Sequence, residues 1–199
     1  MRIAIQSVLC LSAMVLALAV SCRGSGGSDG PFRELEFAVD SSRLGDPIHV
    51  KGLVVHAPAG WDEADSTLLV AVRQAVVGQA SENRLPEFHT VRIQPETGGV
   101  LVITSFPKDP RTTGDFVTWA RSFVEEYRRA RSEVPVEEDW LKIGGMAAVQ
   151  IYQADSLRIQ FKYLIAADLP VGLDYSVPRA AWEKEVRSVE SSLGSIRKK

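Results

Sequence analysis

A G-x-S-x-G sequence stands near the N-terminus, at Gly26-Gly27-Ser28-Asp29-Gly30. This motif activates a serine nucleophile only when it forms a sharp turn between a strand and a helix. Here it lies within residues 23–30, which contain four glycines and no large apolar side chain, so no strand-forming run precedes it. We therefore expect a flexible tether at this point and no catalytic role for Ser28.

The chain has three histidines, His49, His56 and His89. No pair has the H-x-x-x-H spacing with which two histidines on one helix bind zinc. His49 and His56 are seven residues apart in a run that we interpret as one strand, and this spacing places them on opposite faces. His56 and His89 could meet across strands, although exposed or hydrogen-bonded histidines are commoner than ligands. We expect no metal, cofactor or catalytic residue, while a Ser-His-acid triad built from distant residues stays open.

The remaining charged groups give no motif for a specific ligand. Asp62-Glu63-Asp65 and Glu137-Glu138-Asp139 lack the spacing of a calcium loop, and the chain has no glycine-rich phosphate loop. The arginines Arg128, Arg129 and Arg131 could bind an anion. They also lie at the end of a predicted helix, where the helix dipole favours positive charge, so we expect a solvated face. The formal net charge of −2 gives no reason to expect a nucleic-acid partner.

The two cysteines, Cys10 and Cys22, lie in or beside an apolar N-terminal stretch, so the rest of the chain has no thiol for a disulfide or a zinc site. The stretch has the three parts of a signal peptide: Arg2, an apolar run from Val8 to Val20, and small residues before Cys22. The run is shorter than the about 20 apolar residues that a membrane span needs. We therefore expect cleavage and not an uncleaved anchor helix.

The residues before Cys22 indicate lipid modification. Leu18-Ala19-Val20-Ser21-Cys22 resembles the lipobox of bacterial lipoproteins, in which the cysteine is acylated and becomes the mature N-terminus; Ala19 stands where leucine is usual. The resemblance implies palmitate on Cys22 and a permanent hold on a membrane. Arg23 is not the aspartate that retains some lipoproteins at the inner membrane. We expect a lipid-anchored protein of the cell envelope, at the outer membrane rather than the inner one.

The chain therefore divides into three parts. Residues 1–21 are the predicted signal peptide, residues 22–31 the lipidated cysteine with a flexible Gly/Ser tether, and residues 32–199 a single domain. Hydrophobic residues make up 45% of the chain and charged residues 24%, which is ordinary for a globular protein. One domain of this length can bury a sufficient core without disulfides.

Alternating and β-branched apolar runs separated by turn residues predict strands. The predicted strands cover residues 35–39, 48–57, 91–94, 99–106, 140–143, 147–153, 156–166 and 171–176. Because only short turns separate the last four, we expect them to form an antiparallel meander.

Three segments predict helices. Ser66 is expected to cap the first, within residues 62–79. Thr112-Thr113-Gly114-Asp115 resembles a capping box at the start of the second. Pro178 suits the first turn of the third, which Arg197, Lys198 and Lys199 would end. Apolar side chains recur at helical spacing in the last two helices, and the residues expected in the core are Trp119, Phe123, Trp182 and Val189.

Two short motifs and the order of elements resemble the PsbP/Mog1-like domain family, which includes small bacterial envelope lipoproteins. Gly52–Trp61 (GLVVHAPAGW) is similar to the family's apolar strand ending in Pro-x-Gly-Trp, and Ile143–Ala148 (IGGMAA) is similar to its Ile-x-Gly-x-x-Ala turn. The final helix, Trp182–Ile196, lies where the family has one, and the resemblance covers about residues 35–196. It implies an α+β fold with a central antiparallel sheet and helices packed on both faces, and no catalytic residues.

These observations favour a membrane-anchored lipoprotein whose domain binds without catalysis, with the membrane and an envelope protein as expected partners. Two alternatives stay open: a small hydrolase or metal-dependent enzyme, and a carrier of a lipid or small molecule in a cavity between sheet and helix. A pocket lined by His56 or His89 and carboxylates would favour the enzyme. An apolar cavity would favour the carrier, and an exposed patch without a cleft would favour a protein-binding module.

Overall fold

A computed structural model describes residues 32–77, 85–107, 115–131 and 134–199 of the protein. The predictions for the signal peptide, Cys22, the tether and Thr112 to Gly114 lie outside these residues. The helices are α1 (Ser66–Val77), α2 (Phe116–Ala130) and α3 (Trp182–Gly194). The strands are β1 (Arg33–Glu34), β2 (Leu44–Val50), β3 (Leu53–Pro58), β4 (Asp62–Glu63), β5 (Glu87–Ile93), β6 (Val100–Ser105), β7 (Glu137–Ile143), β8 (Met146–Ala154), β9 (Arg158–Ala166), β10 (Pro170–Pro178) and β11 (Arg197–Lys198).

An eight-stranded sheet forms the centre of the domain, in the order β1-β7-β8-β9-β10-β6-β5-β4. Every neighbouring pair is antiparallel except β1 and β7, which run parallel. The predicted meander is confirmed, because β7 to β10 follow one another in space as they do in sequence. A second sheet of three short strands has the order β11-β3-β2.

The two faces of the large sheet bury different halves of the core, because successive residues of a strand point to opposite sides. On one face, Leu101 and Ile165 pack with α3 and with the hairpin of β2 and β3. On the other face, Val149 and Leu164 pack with α2. The fold class is therefore α+β, with helices on both faces of a mainly antiparallel sheet, as the sequence predicts. Both cores lie within one compact unit of the chain.

The four residues expected in the core divide into two pairs. Trp119 and Val189 are buried. Phe123 and Trp182 are half-buried. Phe123 packs against the buried residues between α2 and the sheet, and Trp182 packs against those between α3 and the sheet. No helix within the described residues has the length and apolar character needed to cross a bilayer.

The prediction of one strand over residues 48–57 is wrong, because a tight hairpin divides this run. Lys51 and Gly52 both have positive φ, 42° and 79°, and join β2 to β3. Such a two-residue turn matches the right-handed twist of the flanking strands. Apolar residues continue on both sides of the turn, so the change of direction does not interrupt the hydrophobic pattern.

The predicted strand over residues 35–39 is also wrong. Pairing with β7 ends with the Leu35 amide, which donates to the Lys142 carbonyl at 3.1 Å. The chain then leaves the sheet and runs along α3, where the Asp40 amide donates to Ser191 Oγ at 3.2 Å. Leu35 and Phe37 are apolar because they cover the core from outside, not because they belong to a strand.

Aspartate caps begin the first two helices. Asp65 Oδ1 accepts a hydrogen bond from the Leu68 amide at 2.9 Å, so the prediction of Ser66 as the cap is wrong by one position. Asp115 Oδ1 accepts from the Thr118 amide at 3.0 Å, and Asp115 is itself the N-cap of α2 rather than the second half of a capping box. The Thr118 amide holds the pKa of Asp115 below its ordinary value. Both carboxylates satisfy amides that have no partner inside the helix.

The end of the chain forms a strand and not the predicted last turn of a helix. Pro178 ends β10, α3 begins only at Trp182, and after Gly194 the chain extends so that Arg197 and Lys198 pair with β3. Gly144, in the turn between β7 and β8, has a φ of 56°, and a Cβ there would lie 2.5 Å from the Ile196 carbonyl oxygen. A glycine at this turn therefore lets the C-terminal segment approach.

Three serines at the C-terminal end of α3, the last of which is its C-cap, are buried. Ser191, Ser192 and Ser195 are each less than a tenth exposed. Ser195 Oγ accepts from the His56 amide at 2.9 Å, and Ser192 Oγ lies 2.8 Å from the Tyr175 hydroxyl. Buried hydroxyls are stable when they are hydrogen-bonded in this way.

Candidate functional site

The three histidines do not form a site together. His49 lies opposite Val54 and His56 opposite Pro47 in the β2–β3 hairpin. Directly paired residues share a face, so His49 and His56 lie on the same face and not on opposite ones, as the single-strand prediction required. The His56 ring is held by its Nδ1, 2.9 Å from the Gly45 carbonyl oxygen. In the part of the chain that the structure describes, no cluster of three histidine, cysteine, aspartate or glutamate residues could hold a metal ion.

His89 lies in a hydrogen-bonded cluster that contains a serine and an acid. Its Nε2 is 2.9 Å from Ser105 Oγ, which also donates to Glu87 Oε2 at 3.4 Å. In a catalytic triad the acid contacts the second imidazole nitrogen and the serine is open to substrate. Here Glu87 contacts the serine and the Lys51 ammonium, 2.8 Å away, and Ser105 is 0% exposed. The cluster therefore joins β5 to β6 and does not present a nucleophile.

Burial lowers the pKa of His89, while the Glu87 carboxylate acts in the opposite direction. The folded protein therefore binds this proton less readily than the unfolded chain, in which histidine titrates near about 6.5. The stability that neutral His89 contributes is complete above that pH and is lost as the pH falls below it. We expect the urea midpoint to fall further between about pH 7.5 and 5.5 in the wild type than in His89→Gln. Equal falls would contradict this assignment.

A cleft of about 540 Å³ opens between the C-terminal half of α2 and the sheet face that α2 covers. Strands β6, β8, β9 and β10 form its floor, and Phe123, Tyr127 and Ala130 of α2 lie above it. Small-molecule sites commonly measure about 300–1,000 Å³ and are largely apolar, with a few convergent polar groups. The cleft has this size and this kind of lining, and no histidine contributes to it.

Strand register arranges the residues of the sheet face that α2 covers in three rows across the sheet. Paired residues on one face of neighbouring strands lie side by side, so each row runs from strand to strand. The first row is Thr104, Gly172, Leu164 and Val149; the second is Val102, Asp174, Lys162 and Ile151; the third is Ser176, Gln160 and Gln153. Of these, Thr104, the second row, Ser176 and Gln160 line the cleft. This face of the sheet therefore changes along the strands from mainly apolar, through one ion pair, to polar.

The second row carries a partly buried ion pair between Lys162 and Asp174, whose side chains are 14% and 30% exposed. The Lys162 ammonium also lies 5.9 Å from the ring centre of Phe123 and 6.0 Å from that of Tyr127. Aromatic faces attract cations at such distances. The cleft thus holds a charged group at its centre within a largely apolar wall.

The third row is held by Arg131 and Tyr127. Arg131 Nη1 donates to Gln153 Oε1 at 2.9 Å and to Gln160 Oε1 at 3.2 Å, and the Tyr127 hydroxyl donates to the same Gln153 oxygen at 3.0 Å. Burial raises the pKa of Tyr127 to about 12, so it remains a donor at neutral pH. The prediction of a solvated arginine face is therefore wrong for Arg131. Arg128 is exposed, as predicted, and it pairs with Glu138 at 3.1 Å.

The first row contains a buried hydroxyl with no hydrogen-bond partner among the described residues. Thr104 is 2% exposed, and its Oγ1 is one of the few buried polar atoms of the described chain without a partner. Its paired residue on the neighbouring strand β10 is Gly172, and a Cβ there would lie 2.7 Å from Thr104 Oγ1. The absence of a side chain at Gly172 lets Thr104 and Phe106 pack closely against the backbone of β10. An unsatisfied buried hydroxyl is unusual and calls for an explanation.

Sequence reasoning did not find this cleft. Lys162 and Asp174 are visible in the sequence as charges in the middle of two strands, which is the one local signal that the sequence offers. Gln153 and Gln160 resemble ordinary polar strand residues. Only the register of β8, β9 and β10 brings the four together.

Comparison with known proteins gives matches among solved structures and none among family models or curated proteins. No family model matches the chain, and no curated protein matches it. Among solved structures, the chain is similar to the solution structure of cyanobacterial PsbP (CyanoP) from Synechocystis sp. PCC 6803. That match has 14% sequence identity and a TM-score of 0.46 and covers 88% of this chain and 98% of that one. The α+β fold class rests on the strands and helices themselves, and membership of the PsbP/Mog1-like family stays an expectation from the sequence.

Proposed function

We propose that this protein is a lipid-anchored, non-catalytic binding domain of the cell envelope whose ligand site is the cleft under α2. The observation that carries the proposal is the cleft itself, which measures about 540 Å³, lies between sheet and helix, and combines aromatic and aliphatic lining residues with five charged ones. A cavity in this position is what the carrier hypothesis requires. The anchor follows from the lipobox-like sequence that ends at Cys22.

The chemistry of the described residues supports binding rather than catalysis. In the one Ser-His-acid cluster described above, the serine is fully buried and the acid contacts the serine instead of the histidine. The cleft has the Lys162–Asp174 pair at its centre, and each of these charges neutralises the other. The ion pair engages both side chains and leaves neither free to act as a general acid or base.

A large side chain placed in the cleft should weaken ligand binding without unfolding the protein. Ala130 is exposed on the last turn of α2 and lines the cleft, so Ala130→Trp places an indole over the opening. We expect the domain spanning residues 23–199 to enhance the fluorescence of the neutral dye Nile red, and Ala130→Trp to weaken that binding at least about tenfold. Glu125→Trp is the matched control, because Glu125 is exposed on the same helix and does not line the cleft.

Two results would contradict the proposal. One is the absence of any dye binding by the wild-type domain. The other is equal weakening by Glu125→Trp, which would place the dye elsewhere on α2. The envelope protein partner expected from the sequence stays a separate prediction, and crosslinking in intact cells followed by identification of the captured protein would test it.

A further inference from the structure

The polar end of the cleft floor presents hydrogen-bond donors whose acceptor is not part of the described protein. Gln160 and Ser176 are paired residues on β9 and β10, both are half-buried, and both line the cleft. Paired residues on one face of a sheet place their Cβ atoms about 4.5–5.5 Å apart. The two side chains therefore lie side by side in the cleft. Their position bears on ligand choice only if the cleft is the ligand site, as proposed above.

Two arginines already donate to the oxygen atoms of this pair. Arg131 Nη1 donates to Gln160 Oε1 at 3.2 Å, and Arg158 Nε donates to Ser176 Oγ at 2.7 Å. The bond from Arg131 fixes which end of the Gln160 amide is the acceptor, so Nε2 is the end that Arg131 does not hold. Gln160 Nε2 is accessible and has no acceptor among the described residues, and the hydroxyl hydrogen of Ser176 has none there either. A ligand atom that meets these two groups must accept hydrogen bonds.

The charged groups of the floor near these donors are engaged within the protein. Lys162 pairs with Asp174 one row away. Arg158 also donates from Nη2 to two backbone carbonyl oxygens, at 2.8 and 3.0 Å. Arg129, on α2, is exposed to solvent, where water and salt screen its charge. A charged ligand would therefore lose its hydration in the cleft without gaining an unpaired counter-charge on the floor, which is a costly exchange.

The walls next to the polar end of the cleft are apolar. Val102 and Ile151, in the row beside these donors, line the floor, and Phe123 of α2 lies opposite them. Phe106 packs against Phe123 with ring centres 5.3 Å apart and closes this part of the cleft. Such walls suit a ligand with an apolar body. A carbonyl oxygen is uncharged and has two lone pairs, so it matches the two donors at the polar end.

We propose that the cleft binds an uncharged, largely apolar molecule through a carbonyl oxygen that accepts hydrogen bonds from Gln160 Nε2 and Ser176 Oγ. The body of the ligand lies against Val102, Ile151 and Phe123. Long-chain ketones, esters and amides have this chemistry. No covalent step is involved.

Displacement of Nile red from the domain of residues 23–199 tests the proposal with three probes that carry ten-carbon chains, used below their micellar concentrations: 2-decanone, decanoate and decyltrimethylammonium. The affinity of each protein for the dye is measured first, so that displacement gives the affinity for the probe. We expect 2-decanone to bind about tenfold more tightly than either charged probe. If a charged probe binds as tightly as 2-decanone, or more tightly, the assignment of an uncharged ligand is wrong.

Three variants connect this preference to the two donors. Gln160→Met keeps the length of the side chain and removes its N–H groups, so it should weaken 2-decanone about fivefold and leave decyltrimethylammonium unchanged. Ser176→Ala removes the second donor and should weaken 2-decanone by a similar factor. Gln160→Glu should weaken 2-decanone and strengthen decyltrimethylammonium, an inversion that loss of structure cannot produce. Gln150→Met is the matched control and should change neither affinity, because Gln150 is a half-buried glutamine of β8 that does not line this cleft.

Failure of this inference differs from failure of the proposed function. If Nile red binds in the cleft but the three probes displace it equally, the uncharged ligand class is wrong and the cleft stands. If Gln160→Met and Ser176→Ala leave the affinity for 2-decanone unchanged, the two donors do not hold the ligand and the inference is overturned. If neither the dye nor any probe binds, both the inference and the proposed function fail.

Discussion

Trp61→Ala should destabilise the domain by about 3–5 kcal/mol, a large part of the stability of a typical domain. The Trp61 side chain is 4% exposed and packs edge-on against Tyr175, with ring centres 6.5 Å apart. Its Nε1 donates to Glu185 Oε2 at 3.2 Å, and that carboxylate is itself buried. The substitution therefore opens a cavity and also leaves a buried carboxylate oxygen without its donor. Urea unfolding followed by circular dichroism measures the loss.

Two further variants separate these effects. Trp61→Phe keeps a six-membered aromatic ring and removes the pyrrole ring with its N–H donor, so we expect a smaller loss of about 1–3 kcal/mol. Trp140→Ala removes a half-buried indole whose N–H donates to Glu138, and it should be the mildest of the three. If Trp61→Ala and Trp140→Ala shift the urea midpoint equally, the placement of Trp61 in the core is wrong.

Cys22→Ser should abolish incorporation of radiolabelled palmitate and release the protein from membranes. Each buried methylene of an acyl chain contributes about 0.8 kcal/mol to membrane binding, and two or more chains on one residue hold a protein stably. Serine has no thiol to accept the first diacylglyceryl group. Metabolic labelling and fractionation of cells measure both effects.

Cys10→Ser is the matched control, because Cys10 lies within the apolar run and lacks small residues before it. This variant should keep full labelling. Unchanged labelling in Cys22→Ser would contradict the lipoprotein assignment. Fractionation of the native protein with the inner membrane would contradict the expected outer-membrane location and leave the lipid anchor in place.

The parts of the fold that sequence reasoning predicted are those encoded by local periodicity. Strands β7 to β10 alternate between two buried faces and are divided by glycine or polar turns, so their number and order follow from the sequence. The aromatic residues of α2 recur at helical spacing and pack as expected on the sheet. The β2–β3 hairpin was missed because its turn, Lys51-Gly52, interrupts no hydrophobic pattern.

The candidate site could not be predicted in the same way, because it depends on alignment between strands. Lys162 on β9 meets Asp174 on β10 only through the antiparallel register, and a shift of one residue would place them on opposite faces. The buried serines of α3 were missed for a related reason. Ser192 and Ser195 look like solvent-facing residues until their partners, Tyr175 and the backbone of His56, are placed beside them.

Both ends of the domain pair with strands that are distant in sequence: β1 with β7, and β11 with β3. Without β11, β3 would be an edge strand of the small sheet, with its outer backbone groups unpaired. A chain that crosses a membrane from its N-terminus delivers residues 53–58 long before residues 197–198. Pairing over such a separation slows folding, and an open strand edge meanwhile invites association with other chains. If the protein is exported, as its N-terminal sequence predicts, β3 stays an open edge until residues 197–198 have crossed the membrane.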